Sequence, residues 1–167
     1  DTLRSRGLGD VYKRQSKELV EIAISSARIA EMLGFDPKVA LLSHSTFGQP
    51  ETDRTKRVRQ AIDMLQMKKV KFLFDGEMQP DVALNPKFKS AYPFSKIVGN
   101  ANVLVMPSIH AAAVSTKMLK ELGGGKVIGP LLIGLAQPIE VAPLRSSSSE
   151  ILNLASIAAY SSEVIKY

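Results

Sequence analysis

The sequence contains no cysteine and no tryptophan, and only two histidines among its 167 residues. Without cysteine, the chain has no disulfide framework, thiolate nucleophile, iron–sulfur cluster or cysteine-bound zinc. Two histidines cannot build a histidine-based metal site unaided, so we assign no metal ligand. Absence of cysteine also fits a reducing compartment, and we expect the protein in the cytoplasm.

Long apolar runs are missing as well. The run from Leu131 to Ala136 falls far short of the roughly 18 residues that a membrane helix needs, so we expect no membrane partner. What is present is typical of a folded globular chain, with 45% hydrophobic and 23% charged residues, 11 Gly and 9 Pro. This composition and length predict one domain with a real core.

The formal net charge of +6 raises the question of nucleic acid. Four basic residues cluster on one predicted helix, at Arg54, Lys56, Arg57 and Arg59. No aromatic residue between them could stack on a base, and no nucleic-acid-binding motif accompanies them. We therefore expect no nucleic-acid partner and interpret the cluster as a solvated helix face, with attraction of a small anion as the alternative.

The first fifteen residues differ from the rest. They lack helical or strand periodicity, and the segment RGLGDVYKRQ within them resembles translated sequencing-adapter sequence. We expect residues 1–15 to be a non-native tail and exclude them from the fold. Leaving out their four basic and two acidic residues lowers the net charge from +6 to +4.

Amphipathic helices alternate with short apolar strands along the remaining chain. Helices are predicted from an N-cap at Ser16 to Leu33, after an N-cap at Asp53, from His110 to Leu122, and after a Ser147–Glu150 capping box; strands are predicted over Lys38–Ser43, Val70–Phe74 and Asn102–Met106. Val127–Val141 is predicted to form short extended pieces. The alternation indicates an α/β fold, with a three-layer, mainly parallel sheet flanked by helices.

Ligands of parallel sheets bind beyond the carboxyl ends of the strands. Three loops qualify: Ser43–Gly48, with the hydroxyls of Ser43, Ser45 and Thr46; Asp75–Gln79, with two carboxylates; and Pro107–His110. The first could hold a phosphate, although ordinary turn and capping roles explain the same residues. The histidines could act as general bases, but neither has a catalytic partner at a recognisable spacing.

Four ordered blocks, spread over about Glu18 to Ser161, resemble the phosphate acetyl/butyryl transferase (phosphotransacetylase) family. They are PKVALLSHSTFG (37–48), FDGEMQPDVAL (74–84), ANVLVMPSIHAAAVSTK (101–117) and VIGPLLIGLAQP (127–138). The resemblance implies two α/β subdomains with an active cleft between them. It makes this chain a fragment, with one subdomain at 16–142 and a helix at 143–167 that docks on a first subdomain missing upstream.

Two further segments, AYPFSK (91–96) and MPSIHAAAVSTKMLKELGG (106–124), are most similar to the version fused to the C-terminus of bacterial NADP-dependent malic enzymes. This likeness implies an allosteric, acetyl-CoA-binding and homo-oligomer-forming role. The missing part of such a parent would oxidise and decarboxylate malate to pyruvate, using NADP and a divalent metal. No cofactor is expected in the fragment itself.

The resemblance, together with the loop analysis, assigns acyl-CoA or acyl phosphate binding to six residues: Ser43, Ser45, Thr46, Lys117, Arg145 and Glu150. Free-standing members of the family carry Ser-Arg-Gly before the last helix, and an Asp that begins this helix is proposed to help deprotonate coenzyme A. Here Glu150 stands at the Asp position. Lys117 of the helix-opening motif is retained, although Ala112-Ala113 replaces its Gly-Asn pair.

Pro143 and Leu144 occupy the positions of the family's Ser-Arg pair, and Arg145 comes one residue late. Proline supplies no hydroxyl and leucine no guanidinium fork for phosphate. We therefore assign no catalytic residue and expect the fragment alone to be inactive while still binding acyl-CoA. The alternatives are an active phosphate acyltransferase, in which Arg145 and Glu150 substitute for the family's pair, and a generic nucleotide-binding domain.

Overall fold

The computed structural model describes residues 15–164. The chain divides into two compact units at Thr116 and Lys117, within the fifth helix. The elements are α1 (Ser16–Met32), β1 (Lys38–Leu42), α2 (Asp53–Met67), β2 (Leu73–Met78), α3 (Pro80–Leu84), α4 (Pro86–Lys89), β3 (Val103–Val105), α5 (Ile109–Leu122) and α6 (Ser148–Val164).

The first unit contains a three-stranded sheet in the order β2-β1-β3, and both strand pairs are parallel. The central strand β1 is apolar on both faces. Val39 and Leu41 belong to a core cluster with residues of α1 and α2, whereas Ala40 and Leu42 pack in a second cluster that includes Val82 of α3. The predicted α/β class and mainly parallel sheet are confirmed, because β1 is buried between two helical layers.

Asn102 joins the amino ends of β1 and β3. Its side-chain oxygen accepts a hydrogen bond from the Lys38 backbone N–H at 2.7 Å, and its amide donates to the Asp36 carbonyl at 2.8 Å. The Asn102 backbone N–H also donates to the Lys38 carbonyl at 3.1 Å. These three bonds fix how β3 lies along β1.

Two helices begin one residue away from the predicted caps. The N-cap of α1 is Gln15 rather than Ser16, because the Glu18 carboxylate accepts a hydrogen bond from the Gln15 backbone N–H at 3.1 Å. In α2 the N-cap is Thr52 rather than Asp53. The Thr52 hydroxyl accepts from the Thr55 N–H at 3.3 Å, and the Thr55 hydroxyl accepts from the Thr52 N–H at 2.8 Å. This reciprocal pair satisfies the helix end without the carboxylate.

The second strand is predicted over Val70–Phe74, and both bounds are wrong, since β2 begins at Leu73 and does not stop before Asp75-Gly76. Strand β2 continues through both residues to Met78, because it pairs with β1 along its whole length. A register shift between Leu41 and Leu42 accommodates one extra residue of β2. The long-range ladder of backbone hydrogen bonds determines the conformation here, and the local turn tendency of these two residues does not.

The second unit contains the end of α5 and helix α6. The predicted capping box is confirmed: the Ser147 hydroxyl accepts from the Glu150 N–H at 3.3 Å, and the Ser147 N–H donates to the Glu150 carboxylate at 2.8 Å. Between the helices, residues 123–147 adopt irregular backbone with bends and one turn. The stretch Val127–Val141 therefore contributes no strand to this part of the structure.

Candidate functional site

A cavity of about 620 Å³ lies in the first unit, at the carboxyl ends of β1 and β3. Ser43 and His44 line it directly after β1, and Pro107 and Ser108 line it directly after β3. Two of the three loops named from the sequence thus meet at one cavity. Its volume is in the range of pockets that hold cofactor-sized ligands.

The cavity is cationic. Its charge comes from Arg54 and Arg57, which are one turn apart on α2 and both line it; the imidazole groups of His44 and His110 also lie in the wall. None of the described residues that line the cavity is acidic. Guanidinium groups pair well with phosphate, so this wall favours an anionic ligand.

Helix α5 begins at the cavity and adds to this preference. Its residues His110, Ala111 and Ser115 lie in the cavity wall, together with Ser108 just before the helix. The Ser108 hydroxyl accepts a hydrogen bond from the Ala111 N–H at 3.2 Å and so caps the first turn. The amino end of a helix carries partial positive charge, which also attracts anions.

The remaining wall is apolar. Leu19, Leu42, Val58 and Met106 contribute to it from four different elements or loops. Leu19, Leu42 and Val58 are almost wholly buried core residues, so the wall is preformed by the fold. A ligand that carries both phosphate and an apolar portion matches this combination of surfaces.

The three predicted loop hydroxyls do not act alike. Ser43 lies in the cavity wall, whereas Ser45 and Thr46 are outside it. The Ser45 hydroxyl donates to Glu77 Oε1 at 3.2 Å, and the Thr46 hydroxyl accepts from the Gln79 backbone N–H at 3.1 Å. In this structure both side chains tie the loop to the end of β2.

The two carboxylates expected in a loop after β2 are inside the strand instead, which corrects that prediction. Asp75 accepts hydrogen bonds from the Gly76 and Lys96 backbone N–H groups at 2.9 and 2.7 Å. Glu77 is fully buried and pairs with Arg59, whose Nε lies 3.1 Å from Glu77 Oε2. This hydrogen-bonded pair raises the pKa of Arg59 above its ordinary value.

The other three predicted ligand residues belong to the second unit. Lys117 and Arg145 are exposed there. Glu150 is held by the Ser147 backbone N–H and by Lys120, whose Nζ lies 3.2 Å from its carboxylate. These bonds lower the pKa of Glu150 to about 2, the Ser147 backbone bond contributing most.

The basic cluster of α2 is not one solvated face, as the sequence had indicated. Lys56 is exposed and pairs with Glu51 at 3.4 Å, but Arg54 and Arg57 line the cavity and Arg59 pairs with Glu77. The position of the two arginines in the cavity wall agrees with the alternative interpretation of this cluster, attraction of a small anion, although the cavity itself was not predicted. The available signal was their three-residue spacing, which places them on one side of the helix.

Residues 15–164 contain neither a candidate metal cluster nor a candidate membrane span. No group of three or more His, Asp or Glu side chains there is arranged to hold a metal ion. Within the same residues, no helix is long and apolar enough to cross a membrane.

Comparison with known proteins gives consistent matches over nearly the whole chain. The NADP-dependent malic enzyme of Rhizobium meliloti (strain 1021) is 51% identical over 145 residues, which are 87% of this chain and 19% of that protein. The phosphate acetyltransferase of Bacillus subtilis (strain 168) is 38% identical over 145 residues, or 86% of this chain and 45% of that enzyme.

Among solved structures, the EutD phosphotransacetylase from Staphylococcus aureus superposes with a TM-score of 0.82 at 35% identity, covering 90% of this chain and 47% of that one. The chain thus spans about a fifth of this malic enzyme and less than half of these two phosphotransacetylases. The family model described as phosphate acetyl/butaryl transferase matches residues 11–159. The chain therefore belongs to the phosphate acetyl/butyryl transferase family.

Proposed function

We propose that this chain is part of the phosphotransacetylase-like C-terminal region of a cytoplasmic NADP-dependent malic enzyme, where it binds acyl-CoA as a regulatory ligand and takes part in homo-oligomer assembly. The cavity is the observation that carries the binding role. Arg54 and Arg57 line it, and none of the described lining residues is acidic. The greater identity to the malic enzyme, 51% against 38%, favours that parent.

The same proposal includes the organisation of the chain. Residues 16–142 belong to the subdomain that carries the cavity, and residues 143–167 contain helix α6, which serves an upstream subdomain. Residues 1–15 are a non-native tail, even though the family model begins its match at residue 11. NADP, a divalent metal and malate chemistry belong to the part of the parent outside this chain. Acyl-CoA or acyl phosphate is the partner of the part described here.

A regulatory role is supported by what stands before α6. Pro143 and Leu144 offer neither a hydroxyl nor a guanidinium to a transferring phosphate, and transfer chemistry depends on such fixed charge stabilisation. The cavity, in contrast, retains its two arginines and its apolar wall. Binding of acyl-CoA without transfer is the outcome that this combination favours.

Calorimetric titration of the chain with acetyl-CoA tests the binding role, and we expect saturable binding. Titration of the malic enzyme that carries this sequence tests the regulation. There, acetyl-CoA is expected to change the rate of malate oxidation and raise the melting temperature, because a ligand that binds the folded state stabilises it. If it changes neither quantity, the regulatory proposal is wrong.

An active phosphate acyltransferase is the second candidate, favoured by 38% identity to the Bacillus subtilis enzyme. In this reading Arg145 and Glu150 replace the family's Arg and Asp. The thiol of coenzyme A would give its proton to Glu150, and its sulfur would attack the carbonyl carbon of acetyl phosphate. The bond from this carbon to the phosphate oxygen then breaks, giving acetyl-CoA and phosphate. Formation of acetyl-CoA that Arg145→Ala abolishes and Lys126→Ala leaves intact would favour this candidate, since both variants remove one exposed cation.

A further inference from the structure

We propose that Glu77 is a positioning residue for the cavity. It holds the β1 loop, defined as residues 43–48, in the conformation that places Ser43 and His44 in the cavity wall. Glu77 is not itself in that wall, so it acts through the loop. The identity of the ligand, acyl-CoA, rests on the proposed function, whereas the loop geometry does not.

Glu77 gathers donors from the loop and from α2 onto one carboxylate. Its Oε1 accepts hydrogen bonds from the Ser45 hydroxyl at 3.2 Å, from the Gly48 backbone N–H at 2.9 Å and from Arg59 at 3.3 Å. Its backbone carbonyl accepts from the Phe47 N–H at 2.8 Å. Glu77 thus bonds to the β1 loop at three of its residues.

The two residues that follow Glu77 fasten the cavity end of the same loop. The Met78 carbonyl accepts from the Ser43 N–H at 3.0 Å, and the Gln79 side-chain amide donates to the His44 carbonyl at 3.0 Å. The β1 loop is therefore attached along its length to residues 77–79. Displacement of Glu77 would move the attachment of Ser43 and His44 as well.

Because Glu77 is a buried charged group, its interactions require accurate geometry, which indicates a role beyond stabilising the fold. A buried carboxylate loses hydration, and an ion pair repays this loss only when its geometry is good and its oxygens are fully bonded. Both Glu77 oxygens have partners, and Arg59 supplies the compensating charge. A charged acceptor that takes several donors at once holds a loop more tightly than a neutral one does.

Glu77→Gln is the variant that tests this role, with Glu51→Gln as the matched control. Each removes one negative charge near α2, but Glu51 is exposed, where it pairs with Lys56, and it acts on Arg59 through its charge and not through a hydrogen bond to the β1 loop. Loss of a negative charge by itself strengthens binding of an anion. We expect Glu77→Gln instead to weaken acetyl-CoA binding about tenfold, as loss of a supporting residue does at other sites, while Glu51→Gln leaves binding equal or slightly tighter.

Amide hydrogen exchange supplies a readout of the loop itself. In Glu77→Gln we expect faster exchange at Gly48, whose N–H donates to the Glu77 carboxylate, and unchanged exchange at Leu41 within β1. Leu65→Ala serves as a second control, because it removes a buried core side chain that belongs neither to the β1 loop nor to the cavity wall. It is expected to lower stability without changing acetyl-CoA affinity, which separates positioning from general destabilisation.

The double variant Glu77→Gln with Arg59→Met covers the case in which the single variant does not fold, since it leaves no unpaired charge. It too is expected to bind acetyl-CoA about tenfold more weakly. Wild-type affinity in a folded Glu77 variant would overturn the inference. If the wild-type chain binds inorganic phosphate but not acetyl-CoA, the proposed function fails, and the affinity of the Glu77 variants for phosphate then tests the inference. If the wild-type chain binds neither probe, the proposed function and the inference are both wrong.

Discussion

Gly76 lies against Leu41 so closely that a Cβ atom on Gly76 would stand 2.6 Å from the Leu41 carbonyl oxygen. The φ angle of Gly76 is also +151°, a conformation that other residues rarely adopt. Glycine is therefore required where β2 passes the register shift of β1, and this position is the one that brings Glu77 under the β1 loop.

Gly76→Ala is accordingly expected to lower the free energy of unfolding by about 3 kcal/mol, through backbone strain and the contact with Leu41. Gly34→Ala is the control. Its φ is +84°, but a Cβ there meets no described atom within 4 Å, so only the conformational cost of about 1 kcal/mol applies. Urea unfolding measures both losses, and equal losses would contradict the steric argument.

Arg54 and Arg57 should control anion binding in the cavity. Arg57→Gln, and likewise Arg54→Gln, is expected to weaken acetyl-CoA binding about tenfold at low salt, because a charge-assisted hydrogen bond to phosphate is lost. Added salt should reduce the difference from wild type. Lys56→Gln on the same helix, whose partner is Glu51 at the surface, should change affinity little. Calorimetry at two salt concentrations measures these effects, and equal losses in all three variants would indicate a nonspecific charge effect.

Helix α2 also offers a test of the core. Leu65 is completely buried, and Met67, two residues later, is 80% exposed. Leu65→Ala should lower the free energy of unfolding by about 2–5 kcal/mol, because it removes apolar contacts and leaves a cavity. Met67→Ala should change it by less than about 0.5 kcal/mol. Denaturant titration of the two variants distinguishes them, and a large loss in Met67→Ala would mean that α2 buries a different face.

The start of α6 should respond to acid. The pKa of Glu150 is about 2 in the folded chain against an ordinary 4.5, so its contribution to stability is present above pH 4.5 and is lost as pH falls through 2. Carboxyl-carbon NMR titration measures this pKa directly. Ser147→Ala and Lys120→Gln should each raise it, because each removes one hydrogen-bond donor. A wild-type pKa near 4.5 would contradict the capping geometry.

Local signals in the sequence were sufficient for most elements of the fold. Apolar periodicity located α1, α2 and the two strands β1 and β3, and the Ser147–Glu150 box located the start of α6. The local signals failed at Asp75-Gly76, a pair of residues that is typical of a turn. Pairing with β1 decides the conformation there, and a single sequence does not display which distant strand will be its neighbour.

The residues of the candidate site were predictable from the sequence to a similar extent. The rule for parallel sheets identified Ser43, and the loops that contain His44 and Ser108, from sequence position alone. It could not separate Ser43 from Ser45, because the Ser45 hydroxyl is held by Glu77, which is 32 residues further along the chain. The arginines of α2 were visible as charges, but their surroundings depend on how the helix packs.

Asn102 has a consequence for the far end of the sheet. A slip of one residue between paired strands turns every side chain to the opposite face, and β3 is only three residues long, which leaves few ladder bonds to prevent it. By fastening β3 to Lys38 and Asp36, Asn102 determines which residues emerge at Met106, Pro107 and Ser108. Asn102 is not in the cavity wall, yet it sets the register of the strand that leads to this wall. Substitution of Asn102 should therefore alter ligand selectivity.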